Sequence, residues 1–219
     1  SVLCMMMPVG AEAQVPTAFV SKGAADIQAQ PHSVTQTNSG AQLAAIDPMV
    51  RSITMDNGLP SNAVRSVVQG SKGYMWFGTD NGLCRFDGYD VKTYYNPFTT
   101  VDQFVSALTA CEEGLLVGCN NGAYLFSNAT DQFQKLSDKI TAPVLNFSLD
   151  GDQNVWISTS GQGVFRYNRT THELHQYPMK NIQGKVKSTL VDANNQVWML
   201  CNQGEASIYH LNKSTDQFE

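Results

Sequence analysis

Gly73-Tyr74-Met75-Trp76-Phe77-Gly78-Thr79-Asp80-Asn81-Gly82-Leu83-Cys84-Arg85-Phe86 is the stretch whose reading decides the fold. Its apolar residues alternate with period two on both sides of Asp80-Asn81-Gly82, the pattern of two short strands joined by a tight hairpin. Asn and Gly suit such a turn because it needs positive φ, which costs other residues about 1–2 kcal/mol. The pattern returns downstream as Gly114-Leu115-Leu116-Val117-Gly118-Cys119-Asn120-Asn121-Gly122, as Asn154-Val155-Trp156-Ile157-Ser158-Thr159-Ser160-Gly161-Gln162-Gly163, and as Gln196-Val197-Trp198-Met199-Leu200-Cys201-Asn202-Gln203-Gly204. The large apolar residue at its centre advances from Trp76 to Leu116, Trp156 and Trp198, in steps of 40, 40 and 42 residues.

Around the first copy the same alternation gives four strands: Val64 to Gln69, Tyr74 to Thr79, Leu83 to Asp87 and Val91 to Tyr95. A four-stranded antiparallel unit of about 40 residues, repeated, is a propeller blade. The expected fold is therefore an all-β propeller with four four-stranded blades at about 49–96, 97–137, 138–178 and 179–219. A blade has two apolar faces that only its neighbours can cover, so the tryptophans read as packing between blades. Leu116 is where blade two departs, repacked by Leu115 and Tyr124. Four blades is the minimum for a closed ring. The alternative, and the expectation here, is an arc of a larger ring, for example a seven-bladed one, with two uncovered faces. An uncovered face of about 400 Å² forfeits on the order of 10 kcal/mol. Met49-Val50-Arg51-Ser52-Ile53-Thr54 reads as an outer strand that would complete the last blade of a ring.

Of the 219 residues, 42% are apolar and only 15% charged, enough apolar material for a packed core. A formal charge of -5 with 14 Lys+Arg disfavours a nucleic-acid partner. No run of about 18 apolar residues is present, so no membrane span is expected. Cys4, Cys84, Cys111, Cys119 and Cys201 show no zinc spacing and read as free, mostly buried thiols. Val2-Leu3-Cys4-Met5-Met6-Met7 followed by Ala11-Glu12-Ala13 has the form of a signal-peptide remnant over 1–13, which implies export. Residues 14–48, rich in Ala, Gln, Ser and Thr, read as an irregular leader or linker.

Two stretches invite a chemical reading. Ser148-Leu149-Asp150-Gly151-Asp152-Gln153-Asn154-Val155-Trp156 resembles the Asp-box turn of sialidase propellers, which is structural: the acid accepts from hairpin amides. It also opens like a calcium loop, but the glycine at position six and the glutamate at position twelve are missing, and a turn is the better reading. A glycosidase needs a spaced carboxylate pair or a Tyr nucleophile, and no distinctive one stands out. The four histidines form no metal-binding spacing. No catalytic residue, metal or cofactor is expected. Binding is the better candidate, because the strand order collects the second-to-third-strand loops and the interblade connections on one rim. Asn62, Asp80, Asn81, Asn120, Asn121, Gln162 and Asn202 are the candidate ligand-binding residues. Amides of this kind pair with both donors and acceptors, as a sugar requires.

Asp56-Asn57-Gly58-Leu59-Pro60-Ser61-Asn62-Ala63-Val64 together with Gly73 to Gly88 closely resembles the two-component regulator propeller repeat. The resemblance runs over residues 49 to 219 and degenerates along the chain: Gly78-Thr79 becomes Gly118-Cys119, Ser158-Thr159 and Leu200-Cys201. It implies the periplasmic sensor region of a hybrid two-component histidine kinase that responds to oligosaccharides from glycan breakdown. The implied partners are an oligosaccharide and the remaining propeller and receptor domains or a second protomer. The less favoured readings are a stand-alone four-bladed protein-interaction module and, below it, a carbohydrate-active propeller enzyme. No kinase motif is encoded in these residues, so signalling would need those further domains.

Overall fold

The computed structural model describes residues 2–4, 51–99, 101–177, 179, 182–203 and 205–219. The leader 14–48 and nearly all of the signal-peptide remnant lie outside them. The chain divides into a small unit, 3–52, and a large one that contains 53–219. A two-stranded sheet pairs β1 (Val2–Cys4) with β2 (Arg51–Ile53). The rest of the described strands form four sheets of four strands each, all in the large unit. Among the described residues no helix is long and apolar enough to cross a membrane.

Blade one contains β3 (Val64–Gln69), β4 (Met75–Thr79), β5 (Gly82–Phe86) and β6 (Val91–Tyr94). Blade two contains β7 (Val105–Ala110), β8 (Gly114–Cys119), β9 (Gly122–Ser127) and β10 (Gln132–Lys135). Blade three contains β11 (Val144–Leu149), β12 (Asn154–Thr159), β13 (Gly163–Asn168) and β14 (Leu174–Tyr177). Blade four contains β15 (Lys185–Val191), β16 (Val197–Gln203), β17 (Glu205–Asn212) and β18 (Gln217–Phe218). Each is an antiparallel meander in chain order. The fold is the expected all-β propeller architecture. The outer strand of blade four is its own β18, and β2 pairs with β1 instead.

Alternation in the second strands decides what each face meets. Trp76 points into the seam with blade two, against Val105, Leu108 and Val117. Trp156 points into the seam with blade four, against Val186, Val197 and Met199. Both are 2% exposed. Trp198 holds the same position in blade four and is 37% exposed, because no blade lies beyond it among the described residues. Leu116 packs toward blade three with Ile157 and Phe165. Leu115 and Tyr124 do not repack it, since period-two alternation puts them on the opposite face, toward blade one.

The first and third seams share one device. Trp76, Arg85 and Tyr94 lie side by side, the Arg85 guanidinium 5.9 Å from the Trp76 ring and 5.8 Å from that of Tyr94. Tyr94 Oη donates to Asp131 of blade two at 3.1 Å. Trp156, Arg166 and Tyr177 repeat the arrangement, with ring distances of 5.8 and 5.7 Å. There Asp216 of blade four accepts from Arg166 at 3.1 Å and from Tyr177 at 2.6 Å. Cation–π contact thus ties strands within a blade, and the Asp carries the tie across the seam.

Two uncovered faces were expected; among the described residues one is covered and the other is open. On the far side of blade one Phe77, Cys84 and Phe86 are buried beneath Ile53 and Leu59. The segment holding them is shaped by a 3-10 turn, Met55–Asn57, capped reciprocally by Thr54 and Asn57 and ended by Gly58 at φ 100°. Only Val67 of the innermost strand stays 45% exposed on that side. On blade four, by contrast, Leu190, Trp198, Leu200 and Ile208 are all open, the first opposite the second and the third opposite the fourth.

Candidate functional site

In an antiparallel meander the loops joining second to third strands and the connections between blades fall at the same end. The first strands are irregular at this end too. Their register slips by one residue between Val64 and Ser66, Val105 and Ala107, Val144 and Asn146, and Val186 and Ser188. Arg65, Ser106, Leu145 and Lys187 are the extra residues, and a bulge re-aims the side chain that it carries.

Arg65 is turned onto Asp80 in a bidentate pair, Nε to Oδ1 at 2.6 Å and Nη2 to Oδ2 at 2.8 Å. Its guanidinium also stands 5.5 Å over the Phe104 ring. The hydrogen bonds from Arg65 hold the Asp80 carboxyl below the ordinary carboxylate range. Beyond Phe104, Asp102 accepts from Asn120 Nδ2 at 2.7 Å. Arg65, Asp80, Phe104, Asp102 and Asn120 therefore form a polar strip across the rim of the first seam.

The connection from blade one to blade two adds aromatic surface to that strip. Tyr95 is 56% exposed and Phe98 52%. Phe98 stacks on Tyr124 with centroids 5.4 Å apart. Gln103 braces the connection, accepting from Asn96 N at 2.6 Å and donating to Thr99 O at 2.8 Å. Tyr95 also lies against the hairpin: a Cβ on Gly82, at φ +124°, would meet its Cδ1 at 3.5 Å. The exposed Asn81 is thereby beside an exposed aromatic.

The other candidates have different surroundings. Asn62 Oδ1 accepts from Met55 N at 2.9 Å, inside the segment that covers blade one. Gln162 Oε1 accepts from Thr141 N and Ala142 N at 2.9 and 2.8 Å, and its Nε2 donates to Lys139 O at 3.1 Å. Both carboxamides hold neighbouring loops. Asn121 Oδ1 is buried without a hydrogen-bond partner among the described residues. Asn202 is exposed at the end of blade four, paired in the sheet with Lys185 and Ala206. The structure therefore brings Asp80, Asn81 and Asn120 together and leaves Asn62, Gln162 and Asn202 elsewhere. Arg65, Tyr95, Phe98, Asp102 and Phe104, which share that rim, were not singled out from sequence. Two aromatics on a connection between blades, where a loop needs none, were the available signal.

Asp150 behaves as the Asp-box resemblance implied. Its carboxylate accepts from Asp152 N and Asn154 N at 2.9 Å each and from Trp156 Nε1 at 2.8 Å. Asp192 does the same for Asn194 N, Gln196 N and Trp198 Nε1, each at 2.9 Å. Cys84, Cys111, Cys119 and Cys201 are free and buried.

Residues 58–81 match the family described as two component regulator propeller. No curated protein matches the sequence. Among solved structures, the extracellular domain of a hybrid two-component system from B. thetaiotaomicron superposes with a TM-score of 0.63 at 19% identity, over 72% of this chain and 21% of that one. A second such domain from the same organism gives 0.57 at 16% identity, over 77% and 31%. Virginiamycin B lyase from Staphylococcus aureus gives 0.60 at 13% identity, over 74% and 56%. The chain spans about a fifth of the first of these. At such identities the likeness establishes the propeller fold and nothing about activity.

Proposed function

Because residues 58–81 are a two-component regulator propeller repeat, we propose that the chain is a ligand-recognition segment of an extracytoplasmic sensor and that its first-seam rim binds an oligosaccharide. The observation that carries this reading is the mixture on that rim. Asn81, Asn120, Asp80 and Asp102 offer donors and acceptors beside the exposed rings of Tyr95 and Phe98. Sugar hydroxyls need both donors and acceptors, and the flat apolar face of a pyranose needs an aromatic platform. The extracellular solved neighbours support a periplasmic location.

The reading is recognition without turnover. Asp80 is held ionised by Arg65 and is a poor proton donor. Bound sugar would bias the packing between this segment and further receptor domains or a second protomer, and only its unequal affinity for the two arrangements drives a signal.

Isothermal titration against a panel of oligosaccharides tests the proposal. At least one should bind, and Asn81→Ala and Tyr95→Ala should each weaken it at least tenfold without moving the thermal melt. Absence of binding across a broad panel, or full affinity in both variants, would overturn the site. Chromatography after long incubation should return the sugars uncut; cleaved product would overturn the non-enzymatic reading.

A further inference from the structure

The seam between blades two and three breaks the pattern of the seams on either side at every position that builds it. Where the others place Trp76 opposite Arg85 and Trp156 opposite Arg166, this one places Leu116 opposite Leu125. Where the others place Tyr94 and Tyr177, opposite Leu83 and Val164, this one places Leu136, which bonds to Ala123 O. The residue reaching across from the next blade is His172 in place of Asp131 and Asp216. All three share a left-handed backbone, at φ 61°, 55° and 51°.

Three leucines fill less space than Trp, Arg and Tyr. A cleft of about 100 Å³ remains, floored by Leu116, Leu125 and Leu136 and edged by Glu113, Gln134, Tyr167, Arg169 and His172. The edge is polar and ordered. Tyr167 Oη and His172 Nδ1 are 2.7 Å apart. Arg169 donates through Nη1 to Glu113 at 2.8 Å and through Nη2 to Gln153 at 2.5 Å. Its Nε is buried and has no acceptor among the described residues. A buried donor left unpaired costs free energy, which an oxygen would recover once a small shift of the guanidinium lets it reach Nε.

We infer that this seam is a binding site for a small molecule with an apolar ring and a carboxylate or carbonyl oxygen. The ring rests on the leucines and the oxygen accepts from Arg169 Nε. A closed leucine-lined cavity of roughly 150 Å³ takes up benzene; this cleft is smaller but open, so a ring would enter it in part and keep its outer edge in solvent. Glu113 lies in the β7–β8 turn and Arg169 and His172 in the β13–β14 turn, at the end of the blades opposite the hairpin rim. The inference is independent of the oligosaccharide reading, and either can fail without the other.

The full chain, labelled at leucine methyls and arginine Nε, is titrated by NMR with benzoate, benzamide and benzylamine. Benzoate or benzamide should shift the methyls of Leu116, Leu125 and Leu136 and the Arg169 Nε–H saturably, the tighter of the two telling a carboxylate from a carbonyl. Benzylamine, a ring without an acceptor, should bind at least tenfold more weakly. Leu116→Trp should cut affinity at least tenfold by filling the cleft, and Leu116→Phe does the same work if the larger ring disturbs folding. No saturable shift with benzoate or benzamide, benzylamine binding as well as either, or undiminished affinity in the filled variants would overturn the inference.

Discussion

One residue type at one position of the repeat meets two fates here, and the difference is measurable. Trp156 is sealed in a seam and bonded to Asp150, while Trp198 bonds Asp192 but faces outward. Trp156→Ala should cost about 3–5 kcal/mol, and Trp198→Ala less than half of that, read as midpoint shifts in urea melts. The thiols supply a pH test. Burial pushes Cys84 and Cys111 up to about 11 and Cys119 up to about 12, from 9.0. Below pH 9 both folded and unfolded chains keep these protons, so the contribution to stability is whole. Above it the unfolded chain sheds them first, and stability should fall as pH climbs toward 11. Thermal melts across that window should fall less steeply in Cys119→Ala than in the parent. A thiol reagent at pH 8 should label Cys84, Cys111, Cys119 and Cys201 only on unfolding. Single residues were the least legible level of the sequence. Asn62 and Gln162 look like ligand amides in a string of letters, and only the fold reveals that Asn62 Oδ1 and the Gln162 carboxamide hold neighbouring loops.

Elements were far more legible. Strands expected at Val64 to Gln69 and Tyr74 to Thr79 appear as Val64–Gln69 and Met75–Thr79. Period two, turn glycines and the step near forty are local signals, and local signals survive in sequence. The bulges at Arg65, Ser106, Leu145 and Lys187 left no comparable trace, because one inserted residue does not disturb an alternation only six or seven residues long. The hairpin glycines give a graded prediction. A Cβ on Gly122, at φ +136°, would stand 2.6 Å from Ile140 O, whereas one on Gly161, at φ +104°, meets nothing within 4 Å. Gly161→Ala should therefore cost only backbone strain, about 1–2 kcal/mol. Gly122→Ala should cost distinctly more, in paired chemical-denaturation curves. Asp150→Ala removes a cap on two turn amides and the Trp156 indole together, and should lower stability by about 1–3 kcal/mol.

For the whole molecule the open side of blade four is the dominant feature. Leu190 and Ile208 are 62% and 70% exposed, and Trp198 and Leu200 lie between them. Contiguous apolar surface of that kind is a candidate contact surface, and a second copy of the chain is the occupant that can be tested first. Light scattering on the purified chain should show a species larger than a monomer, and Leu200→Glu with Ile208→Glu should return it to a monomer without loss of secondary structure by circular dichroism. A monomeric parent would show that this side tolerates water. Spacing alone did not tell the two sides apart, since Ile53 read as part of an outer strand for the last blade and Leu59 as part of the first repeat. Their lid over blade one has a consequence for assembly. Molecules with two adhesive ends grow head to tail into filaments, whereas a molecule with one can only meet its own kind back to back, and growth stops at the pair. Opening that lid, for instance with Ile53→Asp and Leu59→Asp, should expose the second side and give species larger than a pair in light scattering.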